Sequence, residues 1–379
     1  MAPHPQSPLL DHCPEGLPAR ACFDPNWYAR EARTIWAQNW VCAGRLADLP
    51  PGTQHRVQVG AASVLLCRAK DGGLAAYHNV CRHRGAELCR AAQAPLAKLI
   101  TCPYHGWAYA AADGRLVSVA HATPTADFSK ADHGLFPVAV LEWAGFVFLN
   151  LAADPGPLTP DVGLHFLDNW PMQALQTGHR MVRDLACNWK VFWENYSECL
   201  HCPGLHPELC ALVPLYGTGI MGASEARGWT PDQPQRPNLR PGAASWTMTG
   251  APCGAEFAGL APDERRNGYN FVTLYPTMFI VAHVDHVRAV RLEPTGPETT
   301  RLTAEWYFLP ETLAQPGFDA AKVAAFAEIV LAQDAEAVEM NQRGLHSPAF
   351  SRARLMPQEY EIHRFHRWVQ AQMGDEVQP

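Results

Sequence analysis

The sequence predicts an α+β chain of two domains. The N-terminal domain is all-β; the larger C-terminal domain combines antiparallel strands with a long helix. Three observations carry this reading. Up to about residue 150, short β-rich runs are parted by Gly, Pro and Asp turns. The Pro- and Gly-rich stretch Asp154–Pro160 then interrupts any pattern and marks a domain boundary. Beyond it, closely spaced strand-like runs precede Asp319–Asn341, where apolar residues recur at helical spacing. The expected division is an arm and helix over 1–40, a β-domain over 41–155 and a C-terminal domain over 156–379.

Residues 1–22 carry Pro, His and Asp where a secretory leader needs an apolar core, and are expected to form a loosely held arm. Asp24-Pro25 offers an N-cap followed by proline at the first helical position. Trp27, Ile35 and Trp36 follow at near-helical spacing, so a helix is expected over about 25–39. Short strands are expected at Val41–Ala43, His55–Val59, Ser63–Arg68 and Leu74–His78, and Asp113-Gly114 is a hairpin turn before Leu116. The longest apolar run, Leu135–Ala153, is broken by Pro137 and Glu142. It reads as the strands Val138–Glu142 and Gly145–Asn150, not as a membrane span.

In the second half, Met181–Cys187 reads as a strand and Asn188–His201 as a helix. The stretch from Gly217 to Asn267 shows no sustained period, and so long a connection is a functional lid or partly disordered. Tyr269–Leu274, Met278–His283, Val287–Glu293 and Arg301–Phe308 are spaced as an antiparallel meander. The Asp319–Asn341 helix is expected to bury Val323, Phe326, Ile329, Val330, Ala337 and Val338, and a last helix to cover Gln358–Gln372.

Composition narrows the function. With 379 residues, 47% of them hydrophobic, the chain has room for two cores. A net charge of −7 argues against nucleic acid or an anionic membrane as partner. Its cysteines show no regular disulfide spacing, which points to a reducing, cytoplasmic setting. There is no G-x-G-x-x-G after a strand and no P-loop, so the sequence shows no nucleotide-binding signature.

Two short ligand pairs stand out, Cys81-x-His83 and Cys102-x-x-His105, each beside a glycine (Gly85, Gly106). Two thiolates with two imidazoles can hold zinc, and they are also the ligand set of a [2Fe–2S] centre with cysteines on one iron and histidines on the other. Each pair mixes cysteine with histidine, where a zinc finger of this set pairs like with like. Pro103 and Tyr104 stiffen the second loop and Trp107 can shield it. A second constellation follows at E-N-Y-S-E-C-L-H-C-P-G-L-H-P, residues 194–207. Pro203 and Gly204 between His201 and His206 imply that the chain leaves its helix and turns back. Two imidazoles plus one carboxylate form the facial triad of non-heme Fe(II) oxygenases.

Taken together, C-x-H-R-G…C-P-Y-H-G-W and the downstream histidine pair resemble the α-subunits of Rieske non-heme iron oxygenases over nearly the full length. The resemblance implies a Rieske [2Fe–2S] domain held by Cys81, His83, Cys102 and His105. It implies a helix-grip catalytic domain, a curved antiparallel sheet around a long helix, with mononuclear iron on His201, His206 and an acid of that helix. The string Q-D-A-E-A-V-E-M-N-Q-R-G resembles the family's late acidic stretch and places the acid at Asp334, with Glu336 and Glu339 as the other candidates.

The resemblance also implies a homotrimer, because it is the cluster of one subunit that serves the iron of the next. Glu198 would bridge His105 of one chain to His201 of its neighbour. Most relatives have Asp there, and the longer Glu resembles the branch that acts on quaternary ammonium compounds such as carnitine and glycine betaine. A ferredoxin or flavin reductase would relay electrons from NAD(P)H, and O2 would be activated to hydroxylate or N-demethylate a small molecule. Trp229, Trp246, Tyr269, Tyr275 and Phe279 are candidates for an aromatic cage around a cationic head. An aromatic-ring dioxygenase acting on an aromatic acid is the competing reading. A Rieske electron carrier is a third, but it leaves His201, His206 and Asp334 without a purpose.

Overall fold

The computed structural model describes residues 7–158, 164–226, 228–230, 232 and 238–374. Residues 1–6 of the expected arm, and parts of the expected boundary and of the long irregular stretch, lie outside the described residues. The chain forms two compact units, Ala32–Leu158 and a second that joins Met1–Glu31 to Thr159–Pro379.

The arm is not loose where it is described. Strand β1 (Glu15–Pro18) pairs antiparallel with Arg352–Arg354, and Leu17, Ala19, Ala21 and Cys22 are buried. A strand this short, containing Gly and Pro, has no readable period. A helix, Pro25–Glu31, follows, and the chain continues as a π-turn over Ala32–Trp36.

In the unit Ala32–Leu158 the chain lays down β2 (Val41–Arg45), β3 (Thr53–Val59), β4 (Ala62–Arg68), β5 (Leu74–His78) and β6 (Gln93–Pro95). Next come β7 (Leu99–Thr101), β8 (Trp107–Ala110), β9 (Leu116–Val119), β10 (Pro137–Trp143) and β11 (Phe146–Asn150). One antiparallel sheet has seven strands in the order β2-β11-β10-β5-β4-β3-β6; the other has three, β7-β8-β9. The apolar run 135–153 is the hairpin β10–β11, registered Trp143 to Phe146. Its two loop residues, Ala144 and Gly145, both have positive φ, as a tight hairpin turn requires. Gly114 turns the β8–β9 hairpin at φ +72°, and a Cβ there would come within 2.6 Å of the Tyr77 ring.

The second unit holds a curved five-stranded antiparallel sheet in the order β12-β16-β15-β14-β13. Its strands are β12 (Gln176–Leu185), β13 (Tyr269–Leu274), β14 (Met278–His283), β15 (Val287–Gly296) and β16 (Thr299–Phe308). β12 starts earlier than the sequence predicts because its alternate residues stay exposed and leave no apolar signal. The long helix is Ala320–Leu345, capped by the Asp319 carboxylate on Ala321 N–H at 3.1 Å. Its buried stripe includes Val323, Phe326, Val330 and Val338 as expected, with Ala324, Ala327, Leu331 and Ala335 where Ile329 and Ala337 were expected. Tyr360–Met373 forms the last helix.

The expected Asn188–His201 helix is shorter, Trp189–Tyr196. Asn188 caps it, and Ser197 closes it by donating its hydroxyl to Trp193 C=O at 2.6 Å. The described part of the 217–267 stretch is anchored by buried Leu239, Trp246, Phe257 and Leu260. Ser245 Oγ donates to Asp285 at 2.6 Å, and Cys253 N–H donates to the other Asp285 oxygen at 2.5 Å. Among the described residues no helix is long and apolar enough to cross a membrane.

Candidate active site and metal centres

The four residues Cys81, His83, Cys102 and His105 lie on two loops of one pattern. Cys81 N–H donates to Ala86 C=O (2.8 Å) and Gly85 N–H returns to Cys81 C=O (3.0 Å). Cys102 N–H donates to Trp107 C=O (2.8 Å) and Gly106 N–H returns to Cys102 C=O (3.1 Å). Gly85 and Gly106 close the loops at φ +76° and +69°, a conformation other residues rarely take. Each loop thus presents one buried thiol and one imidazole on the same side. The two imidazole rings meet edge to face, 4.6 Å between centroids, and His83 stacks on Trp107 at 4.8 Å. Cys81 Sγ lies 3.1 Å from the Tyr109 hydroxyl; burial raises its pKa, and that contact opposes the rise. Soft, buried sulfur opposite more accessible nitrogen is the donor set a [2Fe–2S] centre needs.

In the second unit, His201, His206 and Asp334 converge although they come from different elements. After Tyr196 the chain turns through Glu198, whose carboxylate accepts from Leu200 N–H and from His201 N–H (3.3 Å). A short helical turn, Cys202–Leu205, carries the chain on to His206, the N-cap of the helix Pro207–Leu212. Asp334 projects from the long helix, which faces this turn. His206 Nε2 lies 3.1 Å and His201 Nε2 3.6 Å from Asp334 Oδ1.

Each ring is held at its other nitrogen. His201 Nδ1 is 2.5 Å from Glu198 Oε1, and His206 Nδ1 is 2.7 Å from Gln333 Oε1. With Nδ1–H donated to those oxygens, both Nε2 lone pairs face the common point, as metal-bound histidines require. Asn195 holds Asp334 Oδ1 at 2.7 Å. Burial would depress the His206 imidazole, but Asp334 outweighs it and raises the pKa, so the point attracts positive charge. Two imidazoles and one carboxylate fit a mononuclear iron with open positions. Glu336 is exposed and Glu339 accepts from Ala186 N–H at 3.2 Å, so neither joins the group.

Cys199 and Cys202 are disulfide-bonded across the same turn, with Cα atoms 4.9 Å apart. The irregular cysteine spacing gave no expectation of this pairing. The Cys-x-x-Cys spacing was visible, but only the turn through Leu200 brings the two sulfurs together.

The triad opens into a cavity of about 290 Å³. Of the expected aromatic residues, Trp246, Tyr269, Tyr275 and Phe279 line it; Trp229 does not. Sequence reading missed Phe192, Tyr196, Tyr216, Phe271, Arg288 and Tyr360. The strand residues had a signal, since Tyr269, Phe271, Thr273, Phe279 and Arg288 fall on one face by alternation and register. Which face was inside could not be read from alternation.

Residues 172–375 match the catalytic domain of ring-hydroxylating alpha subunits and residues 39–129 match the Rieske [2Fe-2S] domain. The chain belongs to the Rieske-type ring-hydroxylating oxygenase α-subunits. It is accordingly an oxidoreductase with an N-terminal Rieske domain and a non-heme iron domain. Among the relatives of this oxygenase is the glycine betaine monooxygenase oxygenase subunit of Chromohalobacter salexigens. It is 31% identical over 360 residues, covering 88% of this chain and 80% of that protein. Choline monooxygenase of Beta vulgaris is 28% identical, covering 91% of this chain and 74% of that protein. A quaternary ammonium Rieske monooxygenase studied for carnitine oxidation shares the fold, with TM-score 0.74, 22% identity and 96% of each chain covered.

Proposed function

We propose that this oxygenase component hydroxylates or N-demethylates a small quaternary ammonium compound, the class to which glycine betaine and carnitine belong. What carries the reading is one cavity lined by His201, His206 and Asp334 together with Tyr196, Trp246, Phe271, Tyr275 and Phe279. Stacked and edge-on rings such as Tyr196–Phe279 (4.0 Å) and Trp246–Tyr269 (5.1 Å) give a stiff aromatic wall. Such a wall suits a trimethylammonium head, which has charge but no hydrogen to donate. The relatives' names support the same class.

In this reading Cys81, Cys102, His83 and His105 hold the [2Fe–2S] cluster, and His201, His206 and Asp334 hold the iron. Bound there, the iron would supply O2 activation and the cluster one-electron transfer. The chain's own residues do the rest. Gln333 and Glu198 keep Nδ1 protonated on the two histidines, Asn195 orients Asp334, and the aromatic wall excludes water and presents one carbon. A ferredoxin or flavin reductase fed by NAD(P)H would be the electron-supplying partner. The chain works as a cytoplasmic homotrimer, with Glu198 linking His201 to His105 of the neighbouring subunit; the tip with exposed Tyr104 and half-buried His105 suits such a contact.

The test is an oxygen-uptake screen with a surrogate reductase against quaternary amines and aromatic acids, with iron counted per chain. Uptake with N-methylated cations and three irons per chain is expected. Uptake with aromatic acids alone, or two irons, would overturn the reading.

A further inference from the structure

Arg288 is a buried cation whose guanidinium is incompletely satisfied among the described residues. It is 4% exposed, and its Nε and Nη1 have no hydrogen-bond partner among the described residues. Its contact is with the face of Trp246, 5.8 Å from Cζ to the ring centroid. Buried Lys190 and half-buried Arg291 of this unit each face a carboxylate. Lys190 sits 2.6 Å from Glu31, and Arg291, on the opposite face of β15, sits 3.2 Å from Glu305. Taking a guanidinium out of water without a partner is costly, and such a group marks a place where a ligand completes it.

Register explains where it points. Arg288 pairs with Val281 and Val281 with Phe271, so the side chain rises on the face that lines the cavity with His201, His206 and Asp334. Burial pushes the guanidinium down to about 10, with Tyr196, Asp334 and Tyr216 pulling it up, so it remains charged at neutral pH. Asp334, the carboxylate among these, is committed to the triad.

We propose that Arg288 anchors a carboxylate in this cavity and so restricts the substrate to zwitterions that carry both an N-methylated cation and a carboxylate. This rests on the quaternary ammonium reading and adds to it a second pole, absent from a cationic alcohol such as choline. Planar guanidinium and carboxylate match two hydrogen bonds at once, which also fixes which end of the molecule faces the triad.

Three ligands of nearly one shape separate the terms: glycine betaine, choline, and 3,3-dimethylbutyrate, in which carbon replaces the charged nitrogen. Their equilibrium binding to the holo-oxygenase is measured by calorimetry. The unmodified chain should bind glycine betaine at least about 30-fold tighter than choline. Arg288→Gln should erase that preference, weakening glycine betaine by a similar factor and leaving choline unchanged or tighter. Arg288→Lys should keep part of it. Equal binding of glycine betaine and choline to the unmodified chain overturns the anchor, even if Arg288→Gln does not fold. So does an Arg288→Gln that weakens both ligands alike. If 3,3-dimethylbutyrate binds as tightly as glycine betaine and depends on Arg288, the anchor stands and the quaternary ammonium reading fails.

Discussion

Gln333 was invisible as a functional residue in the sequence, yet it decides the tautomer of His206. Its Oε1 lies 2.7 Å from His206 Nδ1, and its Nε2 donates to Glu208 at 3.0 Å, so the amide cannot flip without losing both bonds. Gln333→Leu leaves a buried Nδ1–H without an acceptor, a loss of about 1–3 kcal/mol. Removing a partner that orients a metal-bound histidine weakens metal binding about 10- to 100-fold, or about 1.4–2.7 kcal/mol, and the two routes agree. Fe(II) affinity should therefore fall by that factor, while the visible spectrum of the [2Fe–2S] cluster, in the other unit, stays unchanged. Gln333→Glu keeps an acceptor on Nδ1 but sets a second carboxylate against Glu208, so it should recover part of the loss. The assay is an Fe(II) titration of the iron-depleted protein, with the cluster spectrum as internal standard. Iron affinity of Gln333→Leu within twofold of the unmodified chain would show that Gln333 does not orient His206.

Three further outcomes follow from named contacts. Glu198→Gln should fold and bind both metals, yet cluster reoxidation with O2 and substrate should slow by about tenfold or more in rapid mixing; normal reoxidation would remove Glu198 from the electron path. Lys190 and Glu31 are both fully buried, a close ion pair at 2.6 Å supported by Asn188 Oδ1 at 2.7 Å. Lys190→Met should cost about 3–5 kcal/mol in denaturant unfolding and the double change with Glu31→Leu much less; a loss below about 1 kcal/mol for Lys190→Met would contradict this. For the Asp285 carboxyl, burial alone would raise the pKa, but His286, Ser245 and the Cys253 N–H bring it down from 3.8 to about 2. The folded value lies below the unfolded one, so about 2 kcal/mol of stability is present above pH 4 and fades as pH falls toward 2. The gap in unfolding free energy to Asp285→Asn should narrow below pH 4, and a constant gap from pH 7 to 3 would count against it.

Legibility in the sequence followed the range of the interaction. The cluster loops could be read because Cys81 to Gly85 and Cys102 to Gly106 are local turns, closed by hydrogen bonds within each segment. The meander and the long helix could be read because periodicity reports a local preference and a buried face together. The β1 pairing could not, since Glu15 and Arg354 are brought together by everything between them. For the same reason the residues alone left Asp334, Glu336 and Glu339 as candidates, and only the resemblance singled out Asp334, the acid that the fold turns toward His201 and His206. Gln333 had no signal, since a glutamine on a helix is usually solvated; Arg288 shared the alternation of its strand, but alternation did not say which face was inside. The sequence by itself determined the donor types, their local loops and the two-domain plan. Tertiary structure decided how the acid meets the histidines, what holds each imidazole, and that Arg288 keeps nitrogens without a hydrogen-bond partner among the described residues, because those are contacts between segments that no local pattern encodes.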